Sequence, residues 1–161
     1  SKVGVIISKE NIDYIEKEKK SFSIANIQFT TQTVKNNKEI KSAFLSLKSK
    51  GIDILWLYPD KWLTEKSFKM ILQESMKSKI SVISPSGHFV EKGALMSVYS
   101  DPAGVGNQAA VIIKDIFYGK KISEIGVQYP VSTRVDCNLT TAKQLGLESS
   151  DFVRTCDTIY E

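Results

Sequence analysis

Apolar residues along this chain come in two rhythms that take turns. Short runs at 2–7 ("KVGVII"), 24–31 ("IANIQFTT"), 53–58 ("DILWLY"), 80–84 ("ISVIS") and 94–99 ("ALMSVY") have the length and residue types of strands. Between them, apolar residues recur at three- and four-residue spacing, the pattern of a helix with one buried face. Ile12, Ile15 and Phe22 make one such face, Ile40, Ala43, Phe44 and Leu47 a second, and Phe68, Ile71, Leu72 and Met76 a third. Helix ends are marked as well: Asn37 is placed to cap the second helix, Gly51 to close it and Thr64 to open the third. The run at 53–58 is apolar throughout, as suits a strand covered on both faces. Strands alternating with helices at this pitch predict an α/β fold, an open, mostly parallel sheet with helices on both faces.

Beyond Asp101 the rhythm loosens. Pro102 fits a first helical turn, and Val105, Ala109, Ile112, Ile113, Ile116 and Phe117 form a broad apolar face before Gly119 stops the helix. The stretch 131–139 ("VSTRVDCNL") reads as one more strand and "TTAKQLGL" as a short helix, and the tail carries Phe152, Val153 and Ile159. No repeat, low-complexity tract or linker interrupts the 161 residues, so a single domain is expected.

Composition narrows the class without adding chemistry. At 42% hydrophobic and 25% charged the chain is ordinary globular material, and no apolar run approaches the length that spans a bilayer. The net charge of +4 comes from lysines interleaved with acids, as in Glu16-Lys17-Glu18-Lys19-Lys20, with Arg134 and Arg154 the only arginines. A nucleic-acid surface usually shows an Arg-rich or aromatic-interleaved stripe, so no nucleic-acid partner is expected. Residues 1–7 run straight into a strand with no basic segment or cleavage site ahead of them, and the expectation is a targeting signal removed or never present. Cys137 and Cys156 are too few for a metal cluster; one disulfide in an oxidising compartment and two reduced thiols both fit.

Catalytic signatures are missing. There is no G-x-S-x-G, P-loop, H-E-x-x-H or C-x-x-C, and the one histidine, His88, either pairs with a carboxylate for chemistry, serves structure or touches a ligand. No catalytic residue, metal or cofactor is expected. Gly104-Val-Gly106-Asn-Gln-Ala109 matches G-x-G-x-x-A, but Pro102 already starts the helix, so both glycines fall inside its first turns and not at a strand-to-helix turn. Gly106, Ala109 and Ala110 suit close helix packing instead. What remains is a set of polar loops at the carboxyl ends of strands, where open parallel sheets bind ligands. They are Ser8-Lys9-Glu10-Asn11, Pro59-Asp60-Lys61-Trp62, Ser84-Pro85-Ser86-Gly87-His88 and Ser100-Asp101-Pro102. Their hydroxyls, carboxylates and aromatic neighbours suit a small polar organic molecule.

The order of these motifs resembles a known family. "GVIISKEN", "GIDILWLYPDKW", the stretch from "KISVISPSGHF" through "VEKGALMSVYSDPAGVG" to "GKKISEI", "CNLTTAKQLGL" and "TCDTIYE" are similar to the second lobe of bacterial ABC-transporter solute-binding proteins. The family is the tryptophan/tyrosine type, with the periplasmic-binding-protein type I fold. The resemblance covers nearly the whole chain and implies a single Rossmann-like lobe over 1–161, with 94–120 as crossover strand and helix. It implies a small organic solute as ligand, an amino acid or related metabolite, an ABC permease as partner, and a periplasmic or membrane-anchored extracytoplasmic location. By position, the ligand-binding set it implies is Ser8, Glu10, Asn11, Asp60, Lys61, Ser84, Ser86, His88 and Asp101.

Two loops depart from the family. Its Thr-Asp after the third strand is Pro59-Asp60 here, and its acidic-and-serine loop after the fourth strand is Ser-Pro-Ser-Gly-His. Members also carry a first lobe of comparable size ahead of this region. Without one, the apolar face of the helix at 102–118 must fold back onto its own sheet or dock on a second copy, and a homodimer through this helix is expected. The alternative function is an extracytoplasmic sensor or scaffold that keeps the fold without transport. In an exported chain the two cysteines become a plausible disulfide.

Overall fold

Each apolar run of the first half becomes a parallel strand, and each helical stretch carries the chain back. The computed structural model describes the backbone of residues 1–161 and every side chain except that of Lys20. β1 (Lys2–Ser8) leads through a 3-10 turn into α1 (Ile12–Ile24). β2 (Gln28–Val34) is followed by α2 (Ile40–Ser49), β3 (Ile54–Leu57) by α3 (Glu65–Ser78), and β4 (Ser81–Ser84) by the short α4 (Gly87–Glu91). After β5 (Met96–Ser100) come α5 (Pro102–Phe117) and α6 (Ile122–Ile125), then β6 (Thr133–Asn138), α7 (Leu139–Leu145), α8 (Ser150–Arg154) and β7 (Thr158–Tyr160). The strands form one seven-stranded sheet in the order β2-β1-β3-β4-β5-β6-β7. Neighbours run parallel except β5 and β6, which pair antiparallel with Ser97 opposite Asp136 and Tyr99 opposite Arg134.

One face of the sheet is closed by α2 and α3. There Ile6, Leu55, Leu57 and Val82 pack with Phe44, Leu47, Trp62, Phe68 and Ile71, all buried. Burying one such side chain is worth about 1.5–3 kcal/mol, so α2, which buries Ile40, Ala43, Phe44 and Leu47, is held chiefly by this face. On the other face Val5 and Ile7 pack on Ile15 of α1, beside an aromatic group in which the Phe22 and Phe29 rings stack at 4.6 Å. Helices thus lie on both faces, as the two rhythms predict. Thr64 and Ser67 form a reciprocal cap at the start of α3, and Gly51 (φ +70°) and Gly119 (φ +94°) take the left-handed conformations that end α2 and α5.

Several details differ from the sequence pattern. The second strand begins at Gln28, later than its alternation suggests, because α1 runs on through the exposed Ile24 and Asn26 turns the chain with φ +55°. The cap ahead of α2 falls on Asn36, whose side chain accepts from the Lys38 N–H, and not on Asn37. On α3, Leu72 and Met76 are only half-buried, whereas Ser75 is fully buried. The stretch after β4 is not all loop, since Gly87 begins α4. Gly106, Ala109 and Ala110 do not pack closely within the chain: all three are exposed, and a Cβ on Gly106 would meet open space.

The second half of the chain settles two open points. Cys137 on β6 and Cys156 ahead of β7 are disulfide-bonded, with a Cα–Cα distance of 5.8 Å. α5 contributes no buried residue, and Phe117 is 86% exposed, so the helix does not fold back to cover its apolar face.

Candidate functional site

Parallel strands all deliver their carboxyl ends to one edge of the sheet, so the loops that follow them meet there. Ser8 ends β1, Pro59–Thr64 follow β3, Ser84–Ser86 close β4, and Asp101 follows β5.

Asp60 ties the first two loops together. Its Oδ2 accepts from the Ser8 N–H at 2.7 Å, the Ser8 hydroxyl at 2.9 Å and the Asn11 amide at 2.8 Å. Burial pushes this carboxyl up, but the Ser8 N–H, the Asn11 amide, the Ser8 hydroxyl and the Trp62 N–H outweigh it and hold the pKa below the ordinary aspartate value. Beside it, Lys61 Nζ reaches both carboxylate oxygens of Glu10 at 2.7 and 2.8 Å, in solvent. An exposed pair of this kind contributes about 1 kcal/mol or less, so a ligand can separate it cheaply. The structure therefore brings Ser8, Glu10, Asn11, Asp60 and Lys61 into one cluster.

The loop after β4 forms a second group. Ser84 is buried and its hydroxyl donates to the Ser86 carbonyl at 2.8 Å. His88 is engaged on the flank of α3, its Nε2 2.5 Å from Glu65 Oε1, while Lys92 Nζ holds Glu65 Oε2 at 2.7 Å. Hydrogen bonds from Lys92 first and His88 second keep the Glu65 carboxyl below its usual range. Asp101 stands as a third position, where it caps α5: its Oδ1 accepts from the Ala103 N–H at 3.3 Å and its Oδ2 from the Gly104 N–H at 3.0 Å. That cap also disposes of the G-x-G-x-x-A match. Pro102 is the first helical residue, and a carboxylate already occupies the helix start that a pyrophosphate would need.

Sequence spacing misses several side chains at this edge. Tyr58 follows β3, and burial, then the charges of Glu18, Tyr14 and Asp60, raise its phenol pKa. Trp62 Nε1 and Asp60 Oδ1 are buried beneath this edge without hydrogen-bond partners. The visible signal is the aromatic pair around Asp60 in Tyr58-Pro59-Asp60-Lys61-Trp62. Tyr99, Asp136 and Tyr160 form a further polar group against the start of α4; an acid inside the strand pattern of 131–139 is its one trace in the chain.

A groove of about 720 Å³ over Phe68 and Leu72, edged by Lys66, Lys69 and Lys92, runs along α3 and is not part of these loops. Among the described residues no group of three or more His, Cys, Asp or Glu side chains is placed to hold a metal ion, and no helix is long and apolar enough to cross a membrane.

A mostly parallel sheet of this order, with an antiparallel return strand and polar loops gathered at one edge, is the architecture of a periplasmic-binding-protein lobe, and three solved structures share it. A conserved domain protein from Vibrio cholerae O1 biovar eltor matches with a TM-score of 0.75 and 21% identity, over 98% of this chain and 54% of its own. The ligand-free, open form of a substrate binding protein with adhesive properties from Clostridium difficile matches with a TM-score of 0.81 and 21% identity, over 100% and 54%. An ABC domain in complex with L-Trp from Streptococcus pneumoniae matches with a TM-score of 0.73 and 20% identity, over 99% and 56%. The chain spans about half the length of each. Its sequence matches the ABC transporter substrate binding protein family over residues 1–157, and the chain belongs to that family. Comparison with curated proteins gives no match.

Proposed function

We propose that this chain is one lobe of an extracytoplasmic solute-binding protein, which captures an amino acid or related small metabolite and passes it to a membrane permease. The observation that carries the reading is the family match over residues 1–157, on a sheet whose carboxyl-edge loops cluster polar groups. Ser8, Glu10, Asn11, Asp60 and Lys61 supply one side of the site, and Ser84, Ser86, His88 and Asp101 the other. The Glu10–Lys61 pair suits a zwitterion, because an ammonium and a carboxylate can take the place of each partner for the other. An amino-acid solute is further supported by the L-Trp bound to the Streptococcus pneumoniae relative.

One lobe supplies half a cleft, and half a cleft leaves most of a solute in water. Residues 94–120 serve in this reading as crossover strand and helix, and the bare face of α5, with Val105, Ile113, Ile116 and Phe117 exposed, is where the facing half docks. That half is either a first lobe or a second copy in a homodimer. A sensor or scaffold that binds no solute is the second reading. It is favoured by the hydrogen bonds that Asp60 Oδ2, His88 and the Asp101 carboxylate already make inside the chain.

Thermal unfolding of the full-length protein against a panel of amino acids separates the two. A ligand at a hundred times its Kd adds about 2.7 kcal/mol, which for a domain of this size is about 5–10 °C. No shift with any amino acid or small metabolite of the panel rejects the solute reading and leaves the scaffold.

A further inference from the structure

One row of the sheet turns polar halfway across. Ser84 lies opposite Ser97, Ser97 opposite Asp136 and Asp136 opposite Thr158, whereas on β1 and β3 Ile6 lies opposite Leu57. Asp136 is 2% exposed and Ser97 fully buried. Asp136 Oδ2 accepts from the Tyr99 hydroxyl at 3.0 Å, but Asp136 Oδ1 and Ser97 Oγ have no partner. A buried carboxylate with a free oxygen costs stability, so its retention calls for a reason.

The start of α4 supplies one. A Cβ built on Gly87 would lie 2.0 Å from Asp136 Oδ2 and 3.5 Å from the Tyr160 hydroxyl, so the backbone of the loop is pressed directly onto the carboxylate. Position 87 takes glycine because any side chain there meets Asp136. α4 also has no cap of its own: the Ser86 side chain accepts no hydrogen bond from it. Burial first, then for Tyr99 its hydrogen bond to Asp136 and for Tyr160 the Asp136 charge, raises both phenol pKa values, so both hydroxyls keep their protons beside the carboxylate at neutral pH.

We propose that Asp136 is a positioning residue for the Ser84–His88 loop: its buried carboxylate, reaching from β6, clamps Gly87 and so sets how Ser84, Ser86 and His88 are presented to a solute. The part played toward a solute rests on the function proposed above; the clamp itself does not.

Hydrogen exchange on the full-length protein, read on the peptide spanning 84–91, tests the clamp with no solute present. Asp136→Asn removes the charge at nearly constant shape and is expected to speed exchange there at least tenfold, with β1 to β3 unchanged. Gly87→Ala is expected to do the same, and to add nothing once Asp136→Ser has made room for the methyl group. Unchanged exchange in Asp136→Asn, or an equal effect of Gly87→Ala with and without Asp136→Ser, overturns the proposal. L-Trp is titrated into the same variants, and a tenfold or greater weakening with the sheet's exchange unchanged supports the role toward a solute. Unweakened L-Trp binding in a variant whose loop exchanges faster rejects that role. Failure of the unaltered protein to bind L-Trp counts against an L-Trp-like solute alone, and the exchange result still decides the clamp.

Discussion

Replacing Asp60 with alanine strands three donors at once: the Ser8 N–H, the Ser8 hydroxyl and the Asn11 amide. They do not cost alike. Ser8 is 4% exposed, so its N–H is left in a dry place, at about 1–3 kcal/mol. The hydroxyl can rotate, and the half-exposed Asn11 finds water, so each adds little. The expected loss is about 2–3 kcal/mol, or about 4–12 °C in melting temperature for a domain of this size. Asp60→Asn keeps one acceptor oxygen but drops the charge, and should lose about half as much.

The pH dependence carries a sign. The folded pKa of Asp60 lies below its ordinary value of 3.8, so its contribution is fully present above that value and disappears as pH falls through the folded pKa. Urea unfolding of the wild type and Asp60→Asn, from about pH 7 down to about pH 2.5, should show a gap that is steady at first and then narrows. A gap below about 0.5 kcal/mol at neutral pH, or one of the same size in acid, refutes Asp60 as the tie between the two loops.

Three further outcomes follow from the packing. The Cys137–Cys156 bond spans a sequence separation of 19, worth about 3 kcal/mol by loop entropy, so urea unfolding with and without reductant should differ by that amount. Leu55→Ala, at a fully buried position under α2 and α3, should cost about 2–5 kcal/mol in the same assay; a loss below about 1 kcal/mol contradicts the core described here. If a second copy covers α5, light scattering at micromolar concentration reads twice 18.0 kDa, and Ile113→Asp with Phe117→Asp returns the monomer; a wild-type monomer there rejects the homodimer.

Much of this protein is determined within short stretches of its sequence. The continuous apolar run of β3 announces a strand covered on both faces, because each of its side chains needs an apolar neighbour whichever way it points. Gly51, Thr64, Pro102 and Gly119 mark helix ends correctly, because caps and left-handed turns involve residues only a few positions apart. The polar loops at the strand ends are legible for the same reason. Local pattern fails where two local signals compete, as in 24–27, which alternates like a strand yet ends α1 and turns at Asn26.

Tertiary structure alone decided the rest. The Ser8–Asp60 tie crosses 52 residues, and a sequence shows both groups as polar loop positions without showing that one holds the other. β6 reads as a strand, but its antiparallel pairing, which places Asp136 opposite Ser97 and against Gly87, depends on where the chain re-enters the sheet after α5 and α6. The choice between a disulfide and two thiols likewise waited on the approach of β6 to the segment before β7. The physical reason is the same in each case. Periodicity reports which face of one element is apolar, whereas hydrogen-bond partners, register and sulfur pairing are set by which elements become neighbours in space.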